Sequence, residues 1–184
     1  LTSEARNPLG MLSSATARLA DEGETRDEGE AMHRDLLKIP KKLKQVTLWI
    51  HPEGRVVGSL FLRPQSPNAP REEEPLEVLN TPDPFLVLRR DDRDELRFYN
   101  KAAVVRVEYE DEMFGRMAEV QPLTCTLHLM DGSLIPGTIR KALPPDRSRL
   151  FDYLNLHDEQ FVKIYCDDGL VCVVNKSYIA CVTP

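Results

Sequence analysis

The sequence predicts an all-β protein built from two small five-strand barrels or curled sheets in tandem. Three observations predict this fold. Apolar and polar residues alternate with a period of two from Val46 onward, most clearly at 125–130, and turn signals separate the alternating runs. The order of strands and turns in 46–107 also recurs in 125–184. The residues between these copies, 108–124, are predicted to form a connector.

The N-terminal segment, residues 1–45, differs from the rest of the chain. Two short helices are predicted at 11–20 and 31–39. They flank an acidic stretch, 21–30, which has few apolar residues and is typical of a solvated linker. Pro40 ends the second helix because it cannot continue helical hydrogen bonding. We therefore expect a helical or disordered segment before the first strand.

The first two strands of each copy carry the clearest part of the repeat. A shift of 79 residues places Val46–Ile50 on Cys125–Leu129 and Gly58 on Gly137. Because glycine has no Cβ, we expect each of these glycines to allow a bend or bulge in its strand. A tightly curled small barrel requires such a bend.

The second half of each copy follows the same order of features. Leu79-Asn80 ends a long loop in the first copy and matches Leu154-Asn155 in the second. A strand, a hairpin and another strand follow, and an Asn-Lys pair then leads into the last strand, at 100–101 and at 175–176. Because Asn tolerates left-handed backbone angles, we expect a tight turn there. Five short strands of this kind can close into a small barrel, which hides its edges.

These residues resemble the two motifs of Sm-like proteins. The run from Leu127 to Ile139, with Gly132 in a turn and Gly137 in the second strand, resembles the first motif. The run from Val173 to Ile179 resembles the second motif, in which a strand, a tight turn and the last strand follow one another. The resemblance spans both copies and implies an SH3-like or Sm-like barrel that associates through its strand edges.

The resemblance also implies a binding site. Sm-like proteins bind RNA through the loop Asn, its neighbours and an Arg-Gly pair in the last turn, and Asn80 and Asn155 match the loop Asn. Arg147 and Arg149 precede the second of these, and two arginines so close together suit a phosphate or carboxylate. The alternative interpretation is a short helical turn that plugs the barrel end. We favour this alternative because the first copy lacks the arginines.

Charge and composition weigh against a nucleic-acid partner. The net charge is −6 and the pI is near 5.3, whereas nucleic-acid binders usually present a basic face. The four cysteines lie among apolar residues and are predicted to be buried and reduced, as in a cytoplasmic protein: Cys125, Cys166, Cys172 and Cys181. No run approaches the roughly 18 apolar residues of a membrane helix, so we expect no membrane role.

The sequence contains no recognisable pattern of catalytic or metal-binding residues. Its four histidines are scattered, and it has neither Cys-x-x-Cys nor His-Glu-x-x-His. It also lacks the Gly-x-Ser-x-Gly sequence that presents a nucleophilic serine. We therefore expect no enzymatic activity, no cofactor and no metal.

Trp49 and Phe61 are the candidate residues of a protein interface. The second copy has His128 and Arg140 at the corresponding positions, which indicates that the side chains there face outward. Outward aromatic residues mark either packing between the copies or a partner surface. We expect a non-enzymatic interaction or scaffolding module that binds a protein partner or a second copy of itself. The alternative is an Sm-like protein that binds nucleic acid or a nucleotide.

Overall fold

A computed structural model describes residues 41–111, 122–142, 144, 149–166 and 169–184. The helices and linker predicted within 1–40 lie outside the described residues, as do most of the predicted connector and Arg147.

The described chain is mostly β-structure, so the predicted all-β class is confirmed. Its ten strands are β1 (Lys42–Ile50), β2 (Gly54–Leu62), β3 (Phe85–Arg90), β4 (Leu96–Asn100), β5 (Val104–Glu110), β6 (Leu123–Leu129), β7 (Leu134–Ile139), β8 (Phe161–Tyr165), β9 (Leu170–Asn175) and β10 (Ile179–Thr183). Two short helices, α1 (Pro75–Leu79) and α2 (Leu150–Leu154), precede β3 and β8. No helix within the described ranges is long and apolar enough to cross a membrane.

All ten strands belong to one antiparallel sheet with the order β10-β6-β7-β8-β9-β5-β1-β2-β3-β4. We call β1 to β5 the first half and β6 to β10 the second half. The neighbour order β5-β1-β2-β3-β4 in the first half corresponds to β10-β6-β7-β8-β9 in the second. The registers also correspond, since Val46 lies opposite Gly58 as Cys125 lies opposite Gly137. β9 pairs with β5 and joins the halves, and β4 and β10 are the two edges.

Gly58 and Gly137 are explained by close strand packing. The pairing of β1 with β2 continues through Gly58 without a bulge, and that of β6 with β7 does so through Gly137; of the predicted bend or bulge, the bulge is therefore wrong and the bend stays a prediction. A Cβ on Gly58 would overlap the carbonyl oxygen of Arg89, and one on Gly137 would overlap that of Tyr165. The missing Cβ therefore lets the backbone of the third strand of each half approach the second.

The Asn-Lys pairs begin short 3-10 helices, Lys101–Ala103 and Lys176–Tyr178. Asn100 has a φ of −67° and Asn175 a φ of −72°, so the expected left-handed angle is wrong. Each Asn instead accepts a hydrogen bond through its side chain from the backbone N–H two residues later. Asn is suited to this position as a helix cap, which the dipeptide alone does not distinguish from a left-handed turn.

The strands extend beyond the boundaries predicted from the sequence. β1 begins at Lys42 because its pairing with β2 continues as far as Leu62. β5 runs to Glu110 and β6 begins at Leu123, so both enter the segment predicted as a connector.

The buried side chains form two hydrophobic clusters, and β8 and β9 contribute to both. One face of this strand pair packs in the second half's own cluster through Val162, Ile164, Cys172 and Val174. The opposite face packs in the cluster of the first half through Phe161, Tyr165, Val171 and Val173. The β8–β9 pair is therefore covered on both faces.

Candidate functional site

The two halves contact each other through β8 and β9. We call this contact the internal joint and define it as the packing of β8 and β9 against β5 and α1. β5 and β9 pair antiparallel over five residues, from Arg106 opposite Val174 to Glu110 opposite Leu170. Backbone pairing thus fixes the register, and the apolar face of β8–β9 fills the first half's core.

Asn80 clamps the start of β8 in this joint. It follows the last residue of α1 as its C-cap, and its Nδ2 donates to the carbonyl oxygen of Phe161 at 3.2 Å. The backbone N–H of Phe161 donates to its Oδ1 at 2.9 Å. Pairing of β7 with β8 is limited to Thr138 opposite Tyr165, so it does not extend to this end of β8. The amide of Asn80 therefore takes the place of a neighbouring strand.

A buried ion pair also belongs to the internal joint. Lys163 on β8 is only 7 % exposed, and its Nζ lies 2.8 Å from a carboxylate oxygen of Glu74, which precedes α1. Burial acts to lower the pKa of Lys163, but the neighbouring Tyr109 and Glu74 outweigh it and raise the pKa above the usual lysine value. Lys163 therefore remains charged, and the two carboxylates beside it in the described chain, Glu74 and Asp111, lie on the first half's side of the joint.

The β3–β4 pair is the counterpart of β8–β9, and its outer face is exposed. Phe85 lies opposite Asn100 as Phe161 lies opposite Asn175, so positions along the two pairs can be matched directly. Three exposed side chains on β3–β4 match buried ones on β8–β9: Phe85 (52 %) matches Phe161, Leu96 (57 %) matches Val171, and Phe98 (71 %) matches Val173. The first half thus presents an apolar surface of the kind that the second half buries.

The second half presents a matching exposed residue on α2. Phe151 is 74 % exposed and corresponds to Leu76 of α1, which packs against the cluster that holds Phe161 and Val173. The sequence predicts a helical turn here whose apolar residues, Phe151 among them, plug the barrel end; the turn is present as α2, but the buried role of Phe151 is wrong, and Phe85, Leu96 and Phe98 were not selected as interface residues. Apolar residues stand at the three strand positions in both copies, so alternation predicts burial for both.

The two Asn residues predicted as loop ligands have different surroundings. Asn80 is engaged in the internal joint, whereas Asn155 is exposed and its Nδ2 donates only within its own helix, to the carbonyl oxygen of Phe151 at 2.8 Å. Arg149 is exposed at the start of α2, at the opposite end from Asn155. Of the predicted loop residues that the structure describes, Asn80 lies in the internal joint and Arg149 and Asn155 lie at the two ends of α2, while Arg147 lies outside the described residues.

Trp49 and Phe61 lie on the same outward face of the β1–β2 hairpin but at opposite ends. Trp49 is opposite Arg55 and Phe61 is opposite Leu43, a separation of about 20 Å along the strands. Both are half-buried, and the guanidinium of Arg106 stacks on the Trp49 ring at 4.2 Å from its centroid. The two aromatic residues do not form a continuous patch.

Two clefts lie at the boundary between the halves. One, of about 370 Å³, is lined mostly by apolar atoms and includes Trp49, His51, Met130 and Tyr178. The other, of about 560 Å³, is lined by Asn80, Asn100, Lys101 and His157, with Asp83 and Asp158 beside them. Lys101 is buried, and its Nζ donates to the hydroxyl and carbonyl oxygens of Thr81, so its ammonium group does not face a ligand in this cleft.

The cysteines differ in exposure, and all four are free thiols. Cys125 and Cys172 are buried as predicted, and burial raises the pKa of the Cys125 thiol. The Cys172 Sγ is 3.7 Å from that of Cys166, and this contact, together with burial, raises the pKa of Cys172. Cys181 is exposed on β10, so the prediction of a buried thiol is wrong there. It lies on the sheet edge, where no further strand of the described chain covers it.

Within the described ranges, no group of three or more His, Cys, Asp or Glu side chains is arranged to hold a metal ion. No family model matches the chain, and no curated protein or solved structure is significantly similar to it.

Proposed function

We propose that the protein is a non-enzymatic scaffolding module that associates with further copies of itself through its two open sheet edges. β4 of one copy would pair with β10 of the next, as β9 pairs with β5 inside the chain. In this proposal each half is a small five-strand barrel or curled sheet of SH3-like or Sm-like type. The observation that carries this proposal is the exposure of Phe85, Leu96 and Phe98, whose counterparts are buried in the internal joint.

The internal joint supplies the register of the proposed contact. Each β9 residue has a counterpart on β4, and each β5 residue has one on β10. The pairs Val174–Arg106 and Val173–Val107 of the internal joint therefore predict which β4 and β10 residues pair between copies. The expected pairs are Tyr99 with Cys181, Phe98 with Val182, Arg97 with Thr183, and Leu96 with Pro184. An exposed edge strand is a template for such pairing, and apolar side chains on its face add specificity.

Both sides of the proposed contact present accessible apolar side chains, and Arg89, which matches Tyr165 and pairs with Asp94, lies on the same face of β3. In the internal joint, Leu76 of α1 packs in the cluster that receives β8–β9. Its counterpart Phe151 would pack against the outer face of β3–β4 in the next copy. Val87 corresponds to Lys163, so this contact needs no buried ion pair. We therefore expect hydrophobic burial to drive assembly, with little dependence on salt.

A contact between two different surfaces is heterologous. Each copy that docks its β4 edge leaves its own β10 edge open, so association continues beyond a dimer. The product is a ring if the rotation between copies closes and a filament if it does not.

Two single substitutions test this arrangement. Phe98→Asp blocks the β4 side and Phe151→Asp blocks the α2 side, and both positions are exposed, so each variant should fold normally. We expect each variant alone to be monomeric by light scattering, with association weakened on the order of a hundredfold or more. An equimolar mixture should form a heterodimer, because one intact surface remains on each partner.

Leu134→Asp is the matched control, since Leu134 is 59 % exposed and lies outside the proposed contact. It should assemble like the unmodified protein. A monomeric unmodified protein at high concentration would refute the proposal. A mixture that stays monomeric would refute the head-to-tail arrangement and favour a two-fold dimer.

Cys181 provides an independent measurement at the β10 edge. Alkylation of this exposed thiol should be fast in dilute protein and slower at concentrations where copies assemble. Phe98→Asp should restore fast alkylation at high concentration. Equal rates in all three samples would mean that β10 is not covered.

The nucleic-acid alternative retains one supporting feature, the cleft that contains Asn80, Asn100 and His157. Its acidic neighbours, the engaged ammonium of Lys101 and the net charge of −6 all weaken it. Binding of single-stranded RNA or DNA at low salt that falls steeply as salt rises would favour this alternative. No binding at low salt would exclude it.

A further inference from the structure

We infer that Asn155 is the residue that recognises the next copy, by binding the backbone N–H and C=O of that copy's Phe85 through its side-chain amide. This inference rests on the proposed self-association and adds the group that fixes its register and direction.

Asn80 provides the precedent within the chain. It follows the last residue of α1, and both atoms of its amide bond the backbone of Phe161, the first residue of β8. Asn155 follows the last residue of α2 in the same way. Phe85 is the first residue of β3, as Phe161 is of β8. The backbone N–H and C=O of Phe85 and the side-chain amide of Asn155 therefore repeat the groups of this contact on surfaces outside the internal joint.

The start of β3 is open to such a contact. Pairing of β2 with β3 extends only from Gly58 opposite Arg90 to Leu60 opposite Leu88, so it stops before Phe85. Because Phe85 matches Phe161 in the register with the fourth strand, its N–H and C=O have the same orientation relative to that strand. The Phe85 side chain is exposed, so a second copy can reach this position.

Asn155 can turn to this contact without leaving a buried group unsatisfied. Its Nδ2 currently donates to the carbonyl oxygen of Phe151, and that oxygen also accepts the backbone N–H of Asn155 at 3.2 Å. When the amide rotates toward the partner, the carbonyl oxygen keeps this backbone hydrogen bond. The exposed Asn155 side chain thus exchanges one local hydrogen bond for two across the interface.

A side-chain amide can hydrogen-bond to both the N–H and the C=O of one residue. Such a contact recognises the position of the backbone and not the identity of the side chain. Only one residue at the start of a strand presents both groups at the correct place, and a slip of one residue reverses their direction. Asn155 therefore selects one register, whereas the apolar side chains around it tolerate small shifts.

The experiment compares the full chain carrying Asn155→Ala with the unmodified chain. We expect the dissociation constant for assembly, measured by sedimentation, to rise by about tenfold to a hundredfold, which corresponds to the loss of two interfacial hydrogen bonds. The thermal unfolding of the dilute protein should not change. Asn155→Asp keeps the acceptor but opposes a carboxylate to the Phe85 carbonyl, so it should assemble no better than Asn155→Ala. Asp158→Ala, in the same loop, is the control and should assemble normally.

Hydrogen exchange of the Phe85 backbone amide gives the second measurement. We expect this amide to exchange more slowly in the assembled protein than in dilute protein, and Asn155→Ala to remove the difference. Absence of assembly in the unmodified protein refutes the proposed function itself. Two outcomes would refute only the role of Asn155. In one, Asn155→Ala assembles as well as the unmodified protein. In the other, the Phe85 amide of the unmodified protein exchanges equally fast in assembled and dilute samples.

Discussion

The strand pairs β3–β4 and β8–β9 have the same pairing and the same following 3-10 turn, yet their surroundings are opposite. β8–β9 is buried on both faces between the two hydrophobic clusters, whereas β3–β4 covers a cluster with one face only. The difference arises because β9 has β5 as its neighbour and β4 has none in the described chain. Burial of a strand pair is thus decided by what docks on it.

At one matching position the two pairs differ in charge, and there the charged side chain is the buried one. The buried pair contains Lys163, and the exposed pair has Val87 at the corresponding position. A buried lysine requires a partner, and Glu74 provides one across the internal joint. The ion pair therefore links the second half to the first, while the matching position on β3 carries an apolar side chain.

The largest expected effect is a difference in stability between substitutions on the buried face of β8–β9 and on the exposed face of β3–β4. Val173→Asp places a carboxylate in a fully buried site and should destabilise the fold by about 4 kcal/mol or more. Phe98→Asp, at the matching exposed position, should change the free energy of unfolding of dilute protein by less than about 0.5 kcal/mol. Urea denaturation at low protein concentration measures both. Equal losses would mean that the β3–β4 face is covered within a single chain.

The second prediction concerns the feature that both halves share. Gly58→Ala and Gly137→Ala each bring a Cβ into a neighbouring carbonyl oxygen and should each cost about 2–4 kcal/mol. Gly132→Ala meets no atom but has a φ of 86°, so it should cost only about 1 kcal/mol. Chemical denaturation provides the comparison. A mild effect at only one of the two strand glycines would break the correspondence between the halves.

A third prediction compares the two clamp residues in dilute protein. Asn80→Ala removes two hydrogen bonds from a part-buried contact and should lower the free energy of unfolding by about 1–3 kcal/mol. Asn155→Ala should lower it by less than about 0.5 kcal/mol, because that side chain is exposed. Thermal denaturation measures both variants. A loss at Asn155 as large as that at Asn80 would show that Asn155 supports its own half instead.

The smallest effect is a pH dependence at α1. Burial acts to raise the pKa of Glu77, but hydrogen bonds from Ser66 and the backbone of Glu74, together with Arg71, outweigh it and lower the pKa below 4.5. A lowered pKa in the folded state stabilises the fold above the unfolded value, and this contribution is lost as pH falls through the folded value. Glu77→Gln should therefore cost about 1 kcal/mol at pH 7 and less at pH 3. A cost that is the same at both pH values would contradict this.

Several local features were predictable because they depend on neighbours in the chain. Alternation located the strands, and the repeated glycines marked the second strand of each half. The reasons assigned to particular residues were less accurate. Gly58 admits a neighbouring backbone instead of forming a bulge, and Asn100 caps a 3-10 helix instead of adopting left-handed angles. Both roles depend on atoms that the local sequence does not specify.

The candidate site was predicted only in part. Asn80 and Asn155 were singled out for the alternative in which the loops bind nucleic acid or a nucleotide, whereas in the internal joint Asn80 binds a protein backbone. Trp49 was selected because it is aromatic, yet it is half-covered by Arg106. Phe98 was not selected, because an apolar residue in an alternating strand is equally suited to a core and to an interface.

The sequence by itself determined the β-class, the alternation that assigns each strand two faces, and the order of turns, since all of these are set by residues close together along the chain. Only the tertiary structure decided which apolar face became core and which stayed open. The physical reason is that burial depends on the strand that docks alongside, and the docking of β9 on β5 joins residues far apart in the sequence.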